Sequence, residues 1–548
     1  MSSTGRADSL AIQSLAVSML GALHGLVFAV PEGLATPAWM IQLLLMTALC
    51  WLILPGGRNG RISVRRSAWL TWLFGLTQFT VGLYWLYISM HHFGGMPAPI
   101  AAAAVVVLSA YVALFGAAAV AITVWLVTCL SNDSAASARP SRLARPLTTA
   151  LTLGACWGLA EMARGWLFTG FPWLSIGYAH VDSPLIGLAP FAGVYAIGMV
   201  ATGLAALLAG ALRERSAWAL GLACLTLLAT IPLAGIAWGQ AVGTAPMTVR
   251  LMQGNVPQSL KFDRVVSEQA IADYTAIIAN SPATLTISPE TAFTRPLEAL
   301  PPQAKQALLA ALASSGTTAA LGMPMRVTDD QASARPRAQI TNSMITLNAA
   351  GQRINRYDKQ HLVPFGEFIP LGFSWFVDLM NIPLGEFGRG VINQPLLVIG
   401  GHRVAFNICY EDLFGEELAV QVRDGATMLV NTSNLAWFGD TIALPQHLNI
   451  SRLRSRELAR PMLRATNTGV TAHIDPMSRV VAQLPNNRHG VLDTSVLPMQ
   501  GLTPFARAGS FAPLILALIM LGLAALTGRP RRLSDRGPAQ TGRPDAER

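Results

Sequence analysis

The sequence predicts two unlike parts: a polytopic α-helical membrane domain of eight spans and an external α/β domain. Three observations carry this. The chain of 548 residues is 52% hydrophobic and only 12% charged, which calls for membrane segments joined to something more polar. Apolar runs of about 18 or more residues recur before residue 240 and once near the end. Between them lies a long stretch in which short strand-like runs alternate with helical ones, the pattern of a layered α/β domain.

Seven spans are expected at 10–30, 36–54, 68–90, 100–130, 147–168, 191–212 and 218–238, and an eighth at 511–527. The first is too long, and lacks a clear small-residue cleavage site, to be a removable signal peptide. The expected boundaries are a seven-span domain over 1–238, the external domain over 239–509, the eighth helix over 510–528 and a disordered cytoplasmic tail over 529–548.

The net charge of +10 is not a nucleic-acid footprint. Arginines cluster after the second span (Arg58, Arg61, Arg65, Arg66), the fourth (Arg139, Arg142, Arg145), the sixth (Arg213, Arg215) and the eighth (Arg529, Arg531, Arg532). The loops after spans one, three and five hold almost no lysine or arginine. The positive-inside rule then puts both termini in the cytoplasm and 239–509 on the opposite side.

Within that external segment, "MTVRLMQGN" (247–255) and "ATLTISPE" (283–290) read as strands. "NSMITLN" and "RINRYDK" flank "AAGQ" as a hairpin. "HRVAFNICY", "TMLVNTS" and "GVTAHID" are further strands, and 303–314 and 447–460 read as helices.

Four of the five cysteines, Cys50, Cys129, Cys156 and Cys224, sit in apolar runs as small hydrophobes. No CxxC spacing occurs, so neither a disulfide framework nor a zinc site is expected. Cys409 differs. Val404, Phe406 and Ile408 alternate as on a half-buried strand, and Glu411 and Asp412 follow as in the first turn of a helix. A thiol at such a strand-to-helix turn is expected to be biased toward thiolate. A buried structural thiol remains an equal reading of the local pattern. A thiol nucleophile needs a base and an oxyanion stabiliser. Glu290 ends another strand, and Lys359 follows the hairpin. Lysine is scarce, with only Lys261, Lys305 and Lys359 present.

"ISPETAF", "YDKQHLVPFGEFIP" and "ICYEDLFG", in that order, resemble the Glu-Lys-Cys signature of the nitrilase superfamily. The long "HLVPFGEFIP" form and the eight-span frame resemble its membrane branch, the apolipoprotein N-acyltransferase family. The similarity extends through "GFPWLSIGY", "QGNVPQSLKF", "PQHLNISRLRSRELARP" and "LRATNTGVT". The resemblance implies a nitrilase-like α-β-β-α sandwich, with Glu290 as base, Cys409 as nucleophile and Lys359 as oxyanion stabiliser helped by the Tyr410 amide. It implies supporting roles for Glu367 and Glu411. The family often has tryptophan where Phe262 stands, so a hydrogen bond there is in doubt.

The implied reaction passes a fatty acyl chain from a phospholipid, through a Cys409 thioester, to the α-amine of a diacylglyceryl-cysteine on an apolipoprotein. No cofactor and no metal are implied. A monomer in a bacterial inner membrane, with its catalytic domain periplasmic, is expected. Phe373, Trp375, Phe376, Leu379 and Met380 in one loop, and Trp437 and Phe438 in another, suit a substrate-binding lid that dips into lipid; core packing is the other reading. Glu161 and Arg164, three apart in the fifth span, fit an internal ion pair or a headgroup contact. His91 and His92 fit an interfacial loop, and His361 a place behind the lysine motif. Two further functions stay open on the sequence: a membrane-tethered amidase with water as acceptor, and a transporter or receptor with an external sensing domain. No P-loop, dinucleotide fingerprint or GxSxG occurs.

Overall fold

The computed structural model describes residues 3–29, 37–54, 63–132, 144–243, 245–327, 340–370 and 386–528. Outside residues 240–500, eight helices of 16 residues or more lie among them: Ser3–Val27, Ala38–Ile53, Val64–Gly82, Ala98–Asn132, Ala144–Arg164, Ala189–Glu214, Ala217–Ala234 and Phe511–Gly528. Five helical stretches among the described residues are long and apolar enough to cross a membrane; Ala38–Ile53 is apolar but shorter. Small residues let the helices approach closely. A Cβ on Gly21 would stand 2.1 Å from the Phe74 carbonyl oxygen.

Two helices end earlier than their apolar runs. The helix from Val64 stops at Gly82, and a separate turn Trp85–Ile88 and a π-turn Ser89–Phe93 follow. The Trp85 indole N–H lies 3.2 Å from both Gly82 O and Gln446 Oε1, which ties the break to the external domain. The Ala144–Arg164 helix stops at Arg164, whose guanidinium donates to Trp173 O at 2.7 Å and Ser175 Oγ at 2.9 Å. Arg164 also lies 3.9 Å from Glu161, both buried, so the pair is internal.

Residues 240–500 form two large sheets, besides a two-stranded antiparallel pairing of Gln240–Ala241 with Met499–Gln500. The first runs in the order Gly490–Val496, Met247–Gln253, Leu285–Ile287, Thr318–Arg326, Ile340–Leu347, Arg353–Asp358, with Phe387–Gly388 also paired to Ile340–Leu347. The second runs Val480–Gln483, Ala472–Ile474, Met462–Thr466, Met428–Ser433, His402–Ile408, Leu397–Ile399. Val249, Leu251, Ile287 and Met344 from the first sheet share one core with Phe406, Ile408, Val430 and Leu463 from the second. Helices Arg264–Ala279 and Pro302–Ser315 pack Ile271, Tyr274, Leu308 and Leu312 against residues of the first sheet. Gly415–Arg423 and Ala443–Leu458 contribute Leu418, Val422, Leu448 and Leu458 to a core with the second. His402–Ile408, Met428–Ser433 and Met462–Thr466 pair in parallel, and the last two are buried along their whole length, as parallel strands covered on both faces must be.

The Ala443–Leu458 helix joins the two parts of the molecule. Gln446 Oε1 accepts the indole N–H of Trp173 at 2.8 Å. Glu457 Oε1 accepts the backbone N–H of Val194 at 2.6 Å. Arg456 donates to the carbonyls of Leu233 and Ala234 at the end of the seventh helix. The next strand, Met462–Thr466, and the helix Arg264–Ala279 were not foreseen, because both lie in sequence whose apolar spacing is masked by arginines or short side chains.

Candidate active site

The His402–Ile408 strand pairs in parallel with Met428–Ser433 and ends at Ile408. Cys409 then takes φ +54° and opens a tight turn through Leu413. A branch-free left-handed residue other than glycine is uncommon and strained, so the surroundings must hold it. They do so at several points. The Cys409 carbonyl accepts Asn431 Nδ2 at 3.1 Å, and His447 Nε2 lies 3.3 Å from it. Tyr410 donates its hydroxyl to Gly170 O at 2.8 Å.

Glu411 does most of this holding. Its Oε1 accepts the backbone N–H groups of Gln360 at 2.7 Å and His361 at 3.0 Å. Its Oε2 accepts Ile408 N–H at 2.6 Å and the Tyr357 hydroxyl at 2.9 Å. The carboxylate thereby locks the lysine segment to the cysteine turn. Burial raises its pKa to about 7, against these donors and Lys359. Asp412, fully buried, is ringed by His447 at 3.0 Å, Arg464 at 3.2 Å and Ser451. Burial works to raise its pKa, but His447 and Arg464 outweigh it and hold the carboxyl below its usual range.

Lys359 follows the Arg353–Asp358 strand and is 1% exposed. Its Nζ lies 3.4 Å from Glu290 Oε1 and 3.0 Å from Glu367 Oε1. Asn342, on the neighbouring strand, spans the same two oxygens, its Nδ2 donating at 2.7 Å to Glu290 and 2.9 Å to Glu367. Asn434 N–H donates to Glu290 Oε2 at 2.9 Å, and Val363 N–H to Glu367 Oε2 at 2.8 Å. Burial pulls the Lys359 pKa down, yet Glu367 and Glu290 outweigh it and raise it overall. Lys359 is therefore an ammonium.

For Cys409, burial and then Glu290 push the thiol well above its ordinary range, with Lys359 opposing. The sequence led to the opposite expectation, a turn biased toward thiolate. Desolvation and three nearby carboxylates overturn it. The resting sulfur is protonated, and any nucleophilic role requires a base.

Glu290, Lys359, Cys409, Glu367, Tyr410 and Glu411 thus converge. Phe262, 37% exposed, adjoins the buried Lys261, whose Nζ donates to Glu290 O at 3.2 Å. Trp437 is half-buried, its ring edge-on to Phe93 at 6.2 Å, and Phe438 packs on Trp85 at 4.4 Å. Phe373, Trp375, Phe376, Leu379 and Met380 lie outside the described residues. His361 lies behind the lysine segment, its two ring nitrogens each 2.8 Å from an acceptor, Glu417 Oε1 and Thr169 O. Sequence reasoning missed Asn342, Asn431, Asn434 and His447. Each sits in or beside a stretch read as a strand or helix, but an asparagine or histidine there carries no signal without its partner. Among the described residues, no group of three metal-ligating side chains forms.

Fold and site define the class: a carbon-nitrogen hydrolase domain carried on a bundle of apolar helices. Residues 248–499 match the carbon-nitrogen hydrolase family, and residues 20–207 match the apolipoprotein N-acyltransferase N-terminal domain. The chain is 46% identical over 518 residues to the apolipoprotein N-acyltransferase of Ralstonia nicotianae, covering 94% of this chain and 93% of that one. It is 43% identical over 548 residues to that of Bordetella bronchiseptica, covering 95% and 98%. With that of Nitrosomonas europaea it shares 40% over 473 residues, covering 84% and 89%. The chain belongs to the apolipoprotein N-acyltransferase family.

Proposed function

We propose that this enzyme transfers a fatty acyl chain from a membrane phospholipid to the free α-amine of a diacylglyceryl apolipoprotein, by way of a thioester on Cys409. The single observation that carries the mechanism is the Glu290–Lys359 contact at 3.4 Å beside the left-handed Cys409 turn. Glu290 takes the thiol proton as sulfur bonds to the ester carbonyl carbon. Lys359 and the Tyr410 amide stabilise the oxyanion. The C–O bond breaks, and the leaving alkoxide of the lysophospholipid takes the proton from Glu290. In the second half the lipoprotein amine attacks the thioester carbonyl. Glu290 receives the amine proton, the C–S bond breaks, and the proton returns to sulfur. A thioester keeps enough reactivity to acylate an amine, which suits cysteine to this transfer.

The substrates live in the bilayer, and the apolar helices that carry the domain suit that. Eight spans, with domain limits at 238, 509 and 528, are part of this reading; five helices are long and apolar enough to cross a membrane among the described residues. The arginine-rich loops support cytoplasmic termini and a periplasmic catalytic domain in a bacterial inner membrane. Phe262, Trp437 and the segment holding Trp375 and Phe376 would meet the acyl chains, and one protomer carries every group the reaction needs.

The test is mass spectrometry of the protein purified from membranes. An acyl adduct on Cys409, discharged as an amide by a diacylglyceryl peptide with a free amine, is expected. Discharge only as free fatty acid would make the enzyme a hydrolase, and no adduct would remove Cys409 as nucleophile.

A further inference from the structure

One of the three lysines, Lys261, is buried behind the site, with its Nζ 3.2 Å from the carbonyl oxygen of Glu290. That carbonyl leads into Thr291, whose φ of 50° is left-handed and costly for a β-branched residue. The segment that bears Lys261 is clamped by two asparagines. Asn434 Nδ2 donates to Gln258 Oε1, and Asn467 Nδ2 to Val256 O, both at 2.8 Å. The backbone of the same Asn434 donates to the Glu290 carboxylate at 2.9 Å. Lys261 and both ends of Glu290 therefore share one scaffold.

A buried ammonium beside one neutral acceptor is costly unless negative charge lies near. Burial lowers the Lys261 pKa to about 8, and Glu290 and Cys409 work against that fall. The charged and titratable groups facing Glu290 are Lys359, Glu367, Lys261 and the Cys409 thiol. Lys359 is committed to both carboxylates.

We propose that Lys261 is a positioning residue for acyl transfer: it anchors Glu290 through the backbone carbonyl and so holds the Glu290 carboxylate where it can receive the Cys409 proton. This rests on the reading of Glu290 as base. Above about pH 8 Lys261 itself loses its proton, which gives the parent enzyme an alkaline decline.

The full-length protein is assayed in phosphatidylethanolamine–phosphatidylglycerol vesicles, following adduct formation on Cys409 from about pH 5 to about pH 10. Lys261→Met is expected to slow acylation about tenfold or more and to lose the decline above about pH 8. Lys261→Arg, always charged, is expected to keep most of the rate and also to lose that decline. A parent-like rate in Lys261→Met, or an alkaline decline unchanged in either variant, overturns the proposal. Where Lys261→Met does not fold, Lys261→Arg decides, and an unchanged alkaline decline overturns it. Glu290→Gln separates the two readings. Normal acylation there removes Glu290 as base. A dead Glu290→Gln with a parent-like Lys261→Met removes only the role of Lys261.

Discussion

The hydroxyl of Tyr410 donates to the carbonyl of Gly170 at 2.8 Å, so the residue after Cys409 is bolted to the membrane half of the molecule. Gly170 sits at φ +82°, and a Cβ there would meet Gly165 O at 2.0 Å, so the carbonyl has no freedom to follow a retreating partner. The cysteine turn and the end of the Ala144–Arg164 helix are thus one mechanical unit.

Tyr410→Phe leaves that buried carbonyl without its donor, at a cost of about 1–3 kcal/mol. Acylation of Cys409 is expected to fall about tenfold, because the left-handed turn loses one of its restraints. The rate of adduct formation in vesicles checks this. An unchanged rate would show that the remaining restraints on Cys409 suffice.

Glu411→Gln replaces an acceptor of four hydrogen bonds by a group that can accept only at one atom. Loss of stability by about 3 kcal/mol or more is expected from the stranded buried donors. The pH dependence follows from the sign of the shift. The folded pKa of about 7 lies above the ordinary carboxyl value, so the folded state binds the extra proton. Stability is therefore full below about pH 4 and falls as pH rises toward 7. Thermal unfolding across that range should show a shallower slope in Glu411→Gln than in the parent.

Asn342→Asp places a third carboxylate between Glu290 and Glu367, where Nδ2 now donates to both. Like charges this close cannot all ionise. Acylation at neutral pH is expected to drop about a hundredfold. Asn342→Leu, which loses the same hydrogen bonds without adding charge, should lower the rate less, and the rates of the two variants in vesicles distinguish charge from lost hydrogen bonds.

Arg464→Met removes the guanidinium 3.2 Å from Asp412 in a site with no exposure on either side chain. Removing one partner of a buried ion pair costs about 3–5 kcal/mol, even though His447 and Ser451 still reach Asp412. Chemical denaturation should register a loss of that order, and most of it should return in Arg464→Met with Asp412→Asn. If the double variant stays as unstable as the single one, the penalty comes from packing and not from charge.

Several features were legible in the chain. Apolar runs marked the regions of the long helices, though the run over 68–90 breaks at Gly82, and the hairpin around "AAGQ" appears as Ile340–Leu347 and Arg353–Asp358. The order of three short motifs pointed to Glu290, Lys359 and Cys409. Trp437 and Phe438 lean on Phe93 and Trp85 of the helical part, contacts no spacing in the sequence announces.

By itself the sequence determined where the chain is apolar, where it is charged and which side chains carry chemistry, because these follow from local composition and short motifs. Only the tertiary structure decided how those groups behave. Asn342 sits 52 residues from Glu290, and Asn434 sits 144 residues away, yet both bind its carboxylate. The protonated state of Cys409 and the left-handed turn that holds it likewise come from groups distant in sequence. Desolvation and Coulomb forces act through space, so their sum at one sulfur exists only after the two sheets and the helices have closed around it.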